Sequence, residues 1–268
     1  MIASALALAV SLSGATVFAR RGEPPILLRG PESGRTVAWF RLRPDLAVYD
    51  NSRRISPWLD SIRYVPAPMG IAKTISVATD NAGTSTWAWC DTAAIPCRWA
   101  RPFATPEALA QTHPDEVTQV VARADDTYLG YLQELLGTPF VLLPRSIGSG
   151  HQTDLRIGSD CAALAAYGRR RMGEKIPYRG PRGLLEHLVV VPPGQMRAGD
   201  LLHYGIQVQV VFEDRGRKGY PDGEDLVIQS WHPWPRIVRQ DSSGWQNYPY
   251  QVMRFTGDTA LESAGANF

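Results

Sequence analysis

What this chain has little of already narrows what it can be. Of its 268 residues only 3 are cysteine and 5 histidine, and charge of the two signs nearly cancels, 28 Lys and Arg against 26 Asp and Glu. A formal net charge of +2 supplies no basic field of the kind that holds nucleic acid or an anionic membrane surface. The run Arg169-Arg170-Arg171 is short and reads as a solvated helix face. The few histidines and cysteines show no metal-ligand spacing, which argues against a zinc site. There is no G-x-S-x-G elbow, no phosphate-cradling G-x-x-x-x-G-K and no dinucleotide fingerprint, so nothing calls for a cofactor. Gly148-Ser149-Gly150 reads as a flexible turn rather than an anion nest. Asp222-Gly223-Glu224-Asp225 reads as an exposed turn rather than a calcium loop. Neither an internal repeat nor a low-complexity tract is present, and nothing in the sequence indicates an oligomeric state. The length suits one large domain or two modest ones, each able to bury a core.

Long apolar runs are also scarce, with one exception. Ile2 to Ala19 is continuously apolar or small and is followed at once by Arg20 and Arg21. Residues 1–19 therefore read as a signal peptide or an uncleaved anchor, with Val17-Phe18-Ala19 as the small-x-small cleavage site. The charges are unusual for that reading, because no Lys or Arg precedes the run and two arginines follow it. No later stretch is apolar for long enough to span a bilayer. The expected location is outside the cytoplasm: periplasm, cell envelope or secreted. The cysteines agree. Cys90 and Cys97 flank a short proline-containing loop that a disulfide would close, which suits an oxidising compartment. Cys161 is then left over, either a reactive thiol or a small buried hydrophobe.

Residues 20–104 read as a β-rich domain of unknown role. Thr36–Leu42, Thr74–Val77 and Thr84–Trp89 are β-branched and aromatic, broken by Pro, Gly, Asn and Asp. Trp87 and Trp89 alternate as one face of a small sandwich core. The character changes at Thr105-Pro106-Glu107, a capped helix start, so a second domain is expected over 105–268. Val117, Val120, Val121, Ala124, Tyr128, Tyr131, Leu132 and Leu135 recur at three- and four-residue spacing and predict a helix from Asp115 to Leu136, with Gly137 as its C-cap. A Gly-rich loop, a helix from Cys161 to about Arg171 and several strands follow. Helices and then consecutive strands make an α+β fold.

The segment most able to carry chemistry surrounds Cys161. Ser159 or Asp160 caps the helix and places Cys161 in its first turn, where free backbone N–H groups favour thiolate. Cys161, Leu164, Ala165 and Gly168 share one helix face, small enough to approach a sheet closely. Asp160-Cys161-Ala162-Ala163-Leu164 resembles the D-C-S/A-G-L helix start of the NlpC-type, papain-like cell-wall cysteine peptidases. Leu136-Gly137-Thr138-Pro139-Phe140 resembles the family's L-G-T-P-Y segment, and Met196 to Leu202 its G-D-L segment, in the same order. The resemblance covers the C-terminal half only. It implies a papain-like domain of helices packed on an antiparallel sheet, with Cys161 as nucleophile. The implied substrate is a peptide of the cell wall (peptidoglycan), cut by a cysteine peptidase or amidase without a cofactor.

The resemblance departs where the family places its histidine base. That position falls on Gln207, and the third polar position falls near Gln229. An amide has no usable basicity, so Gln207 cannot take a proton from a thiol. His203, His232 and His151 are the candidates to replace it, with His203 nearest in sequence to the vacated position; a site with no histidine base is the remaining alternative. In that case the domain would be a catalytically impaired envelope binding module. Trp231, Trp234 and Trp245 either wall a cleft or belong to the core.

Overall fold

Residues 9–10, 16–31, 35–45, 64–94, 97, 116–147 and 150–258 are described by the computed structural model of the chain. Its N-terminal part is built of strands: β1 (Ala9–Val10), β2 (Thr16–Arg20), β3 (Ile26–Arg29), β4 (Val37–Pro44), β5 (Tyr64–Ala72), β6 (Thr74–Val77), β7 (Gly83–Asp91) and β8 (Val117–Arg123). β2-β8-β7-β4-β5 form a five-stranded sheet, and β1-β3-β6 a three-stranded one. Val37, Trp39, Trp87 and Val120 of the first sheet pack with Ile26, Leu28 and Val77 of the second, with Trp89 partly buried alongside. Alternation along β4 and β7 thus gives a sandwich core, as the aromatic pattern indicates. The opposite face carries Ala38, Leu42, Tyr64 and Ala88 beside Cys90 and Cys97. Those two cysteines are joined, Cα atoms 5.8 Å apart, within the ordinary span of a disulfide.

One expectation fails in this region. The helix expected from Asp115 is instead strand β8 over its first half, and the helix α1 begins only at Tyr128 and ends at Gln133. β8 lies between β2 and β7, and Val120, Val121 and Ala122 are all buried. A strand covered on both faces loses its two-residue alternation, and its apolar run then mimics helical spacing. The β-branched Val117, Thr118, Val120 and Val121 belong to a strand by propensity. The expected helix start at Thr105 lies outside the described residues. Residues 16–20, which take in the end of the expected leader, form β2. They pair in parallel with β8 from Thr16↔Gln119 to Arg20↔Arg123. Ala19 is buried, and Arg20 pairs with Asp126 at 2.6 Å.

The C-terminal part places helices on one sheet. β11 (Leu188–Val190), β12 (Leu201–His203), β13 (Val208–Glu213), β14 (Leu226–Trp231), β15 (Trp234–Arg239) and β16 (Gln251–Phe255) form an antiparallel sheet ordered β11-β16-β12-β13-β14-β15. A small pair, β9 (Ser146–Ile147) and β10 (Gly150–His151), precedes helix α2 (Cys161–Arg171). The short α3 (Pro181–Leu184) follows it. Leu201, Val208, Val210, Ile228, Met253 and Phe255 turn toward Leu132 of α1 and Cys161, Leu164 and Ala165 of α2. The alternate residues Leu202, Val211 and Val227 form a separate cluster with Met196 on the far face. This is an α+β arrangement with most residues of its elements in strands.

The small residues of α2 serve a different neighbour from the expected one. A Cβ on Gly168 would lie 2.6 Å from the Tyr128 ring and 2.7 Å from Leu132, so Gly168 admits α1 rather than the sheet. Nor is the arginine run solvated. Arg169 is only 2% exposed and pairs with Asp258 and Glu174; Arg170 pairs with Asp154, and Arg171 with Glu134. The fully buried Glu134 carboxylate also binds Arg123 of β8 at 2.9 Å and accepts from the Tyr167 hydroxyl. Arg123, Arg156 and Arg171 all stack over the ring of Phe18 in β2, at 5.6, 5.2 and 4.9 Å. Strand β2 is thereby fastened to both parts of the molecule.

Candidate functional site

Helix α2 starts as its sequence dictates. Asp160 has extended backbone angles and its carboxylate accepts from the Ala163 N–H at 2.8 Å, a side-chain N-cap. The residues before it are pinned from two sides. Phe140 bridges Ser159 in parallel, and the Ser230 hydroxyl of β14 donates to the Ser159 carbonyl at 2.7 Å. Cys161 therefore sits in the first helical turn, over the sheet, as the sequence predicts.

Its surroundings disfavour the thiolate. Cys161 is 6% exposed. Burial pushes the thiol well above its ordinary value, and the neighbouring Asp160 raises it further. Backbone N–H groups of Val208, Ala162 and Cys161 itself favour the thiolate but are outweighed. Asp160 is also desolvated, and its carboxyl is pushed up to about 6 despite backbone N–H groups that favour its charge. Of the two readings of the leftover cysteine, burial agrees with the small buried hydrophobe.

Val208 of β13 lies beside Cys161, with its backbone N–H toward the thiol. β12 and β13 pair Leu201↔Val210, Leu202↔Gln209 and His203↔Val208, and the hairpin closes through Tyr204 N–H to the Gln207 carbonyl at 2.9 Å. Val208 and Val210 therefore face α2, and Gln209 does not. The two glutamines expected beside the cysteine are brought together with each other instead. Gln229 Oε1 accepts from Gln209 Nε2 at 2.9 Å and lies 3.5 Å from Gln207 Nε2, while Gln229 Nε2 donates to the Ser243 carbonyl at 2.9 Å. Tyr204 OH donates to Gln209 Oε1 at 3.0 Å. All three glutamine side chains are buried in this amide cluster, on the side of the sheet turned away from α2. The Gln-Val-Gln alternation at 207–209 is the sequence signal that the middle residue takes the other face.

The histidines divide between two environments. His203 lies opposite Val208 and so shares the helix-facing side of the sheet. Its Nδ1 accepts from the Gly205 N–H at 3.1 Å, which leaves Nε2 as the protonated nitrogen, donating to the Pro181 carbonyl at 2.9 Å. His151 is engaged the same way, Nδ1 with the Thr153 N–H and Nε2 with the Pro144 carbonyl, its ring stacked on Tyr178. In both, the lone pair that a general base would use is already accepting a hydrogen bond. His232 follows β14, its ring 4.6 Å from Phe140 and 5.0 Å from Trp231. Burial, and then Arg236, lower its basicity. Among the described residues no histidine hydrogen-bonds the Cys161 sulfur, and no cluster of three acidic, His or Cys side chains is arranged to hold a metal. Trp231 and Trp245 stack edge to face at 5.4 Å, with Trp245 buried and Trp234 exposed. The tryptophans thus divide between core and surface.

No family model matches the chain, and no curated protein matches it in sequence. Solved structures similar to parts of it include the following two. One is a protein "similar to lipoprotein, NLP/P60 family" from Staphylococcus aureus, at 16% identity and a TM-score of 0.34. That match takes in 62% of this chain and 54% of the other, so this chain spans about half of that protein's length. The other is NlpC1 from Trichomonas vaginalis, at 8% identity and a TM-score of 0.35, over 85% of this chain and 95% of that one. Likenesses of this depth carry no weight for the chemistry, which rests on the residues above.

Proposed function

We propose that the chain is an extracytoplasmic NlpC-type, papain-like module that holds cell-wall peptide without hydrolysing it. The fold and the substrate class come from the resemblance around Leu136–Phe140, Asp160–Leu164 and Met196–Leu202. The disulfide between Cys90 and Cys97 supports an oxidising compartment. One observation supports a loss of hydrolysis: the Cys161 thiol is buried beside Val208 in surroundings that disfavour the thiolate, and among the described residues no histidine hydrogen-bonds its sulfur. A papain-type nucleophile needs a partner that removes its proton and then protonates the leaving amine. Neither Val208 nor the Gln207, Gln209 and Gln229 cluster supplies one.

One observation favours a second reading. His203 lies on the helix-facing side directly across from Val208, so a peptidase would need only to release its bonds to Gly205 and Pro181. Incubating the whole chain with soluble wall peptide, with mass spectrometry for cleavage and equilibrium dialysis for binding, separates the two. Binding without cleavage is expected, unchanged in Cys161→Ala, together with slow native alkylation of Cys161 that becomes fast on unfolding. Cleavage that disappears in both Cys161→Ala and His203→Ala establishes the peptidase and overturns the binding module.

A further inference from the structure

A cavity of about 320 Å³ opens at one end of the N-terminal sandwich, between β4, β7 and β8 of one sheet and the end of β6 in the other. That volume is at the small end of ligand pockets, about 300–1,000 Å³. Trp87 and Arg41 form its most distinctive wall. They are a directly paired couple across β7 and β4, and the Arg41 guanidinium carbon lies 5.8 Å over the indole. The indole N–H donates to Ser85 Oγ at 2.9 Å, which fixes the ring. Val77 and Val120 contribute apolar surface and Asn81 an amide at the rim; among the described residues no acidic side chain lines the cavity. Leu136 and Gly137 complete it. Gly137 has φ +81°, and a Cβ there would sit 2.9 Å from the Thr84 carbonyl oxygen, so only glycine closes the wall.

Arg41 is the anomaly. It is half-buried, and among the described residues no carboxylate pairs with it. Among the described residues the charged group that acts on it is Arg43, two residues along the same face of β4. Burial and that like charge both disfavour its cationic form. A partly desolvated guanidinium without a counter-charge, at the mouth of an otherwise apolar and hydroxyl-lined cavity, is a preformed receptor for an anion.

We propose that this cavity binds a small amphipathic carboxylate, the acid group on Arg41 and the apolar body against Trp87, Val77 and Val120. The site is separate from Cys161, and it stands or falls independently of what happens there. N-acetylalanine is the probe and N-acetylalaninamide its uncharged match, each titrated calorimetrically into the full chain. The acid should bind at least about tenfold more tightly than the amide, since a charge-assisted contact is worth that much or more. Arg41→Gln should erase the preference, and Arg41→Lys should keep part of it, with the thermal melts of both variants unchanged. Equal binding of acid and amide overturns the proposal without any variant. So does absence of heat up to about 20 mM acid, a concentration that would reveal even millimolar affinity. A preference that survives in Arg41→Gln also overturns it, and inorganic phosphate binding in place of the acid overturns the carboxylate assignment.

Discussion

Replacing Asp160 with asparagine isolates the most heavily loaded group of the Cys161 region. In the fold the carboxyl holds its proton to about 6, against 3.8 ordinarily, because it is desolvated. Stability contributed by the protonated form is therefore complete below 3.8 and lost as pH rises through 6. The difference of about 2 units, at about 1.4 kcal/mol each, makes ionised Asp160 a burden of about 3 kcal/mol at neutral pH. Asparagine caps a helix as well as aspartate and keeps the acceptor for the Ala163 N–H. Asp160→Asn should thus match the wild type near pH 4 and exceed it by up to about 3 kcal/mol near pH 7.5, most of the gain accruing between about 4 and 6. Urea titrations across that range read the difference directly. A gap that stays constant with pH, or that favours the wild type at neutral pH, refutes the assignment of a desolvated carboxyl at this cap.

The amide cluster on the far face predicts a large cost for Gln229→Leu, which strands the donor of Gln209 and the Ser243 carbonyl. About 2–4 kcal/mol should be lost in urea unfolding, and a loss below about 1 kcal/mol would mean the cluster is not closed as described. Strand β2 predicts that a chain lacking residues 1–19 melts several degrees below one lacking residues 1–15, having lost Phe18 from beneath three guanidiniums and the buried Ala19. Equal melts for the two truncations would show that β2 contributes nothing.

Local signals were legible where the chain carries its own punctuation. β6 coincides with Thr74–Val77 and α2 with Cys161–Arg171. The first is a β-branched run between breakers, and the second is announced by an aspartate cap. What failed depended on partners distant in sequence. Whether Val117–Arg123 is helix or strand is decided by β2 and β7, which cover it on both sides. The site misled for a subtler reason. Motif counting placed the reactive partner at Gln207, but face is set by the register of the β12–β13 hairpin, and one residue of slip exchanges the faces. The turn through Gly205, at φ +84°, sets that register and puts Val208 beside the sulfur. The cavity at Arg41 was invisible because a missing counter-charge can be seen only once neighbours in space are known.

The pairing of β2 has a consequence for the order in which the molecule assembles. Among the described residues β2 has one neighbour in its sheet, β8, which is encoded about a hundred residues later. During vectorial synthesis, or passage through a translocation channel, β4, β5 and β7 emerge and can pair while β2 still has no edge to join. Only when Arg123 is out can residues 16–20 dock, and the full clamp on Phe18 waits for Arg156 and Arg171 of the C-terminal part. A strand made early is thus among the last secured.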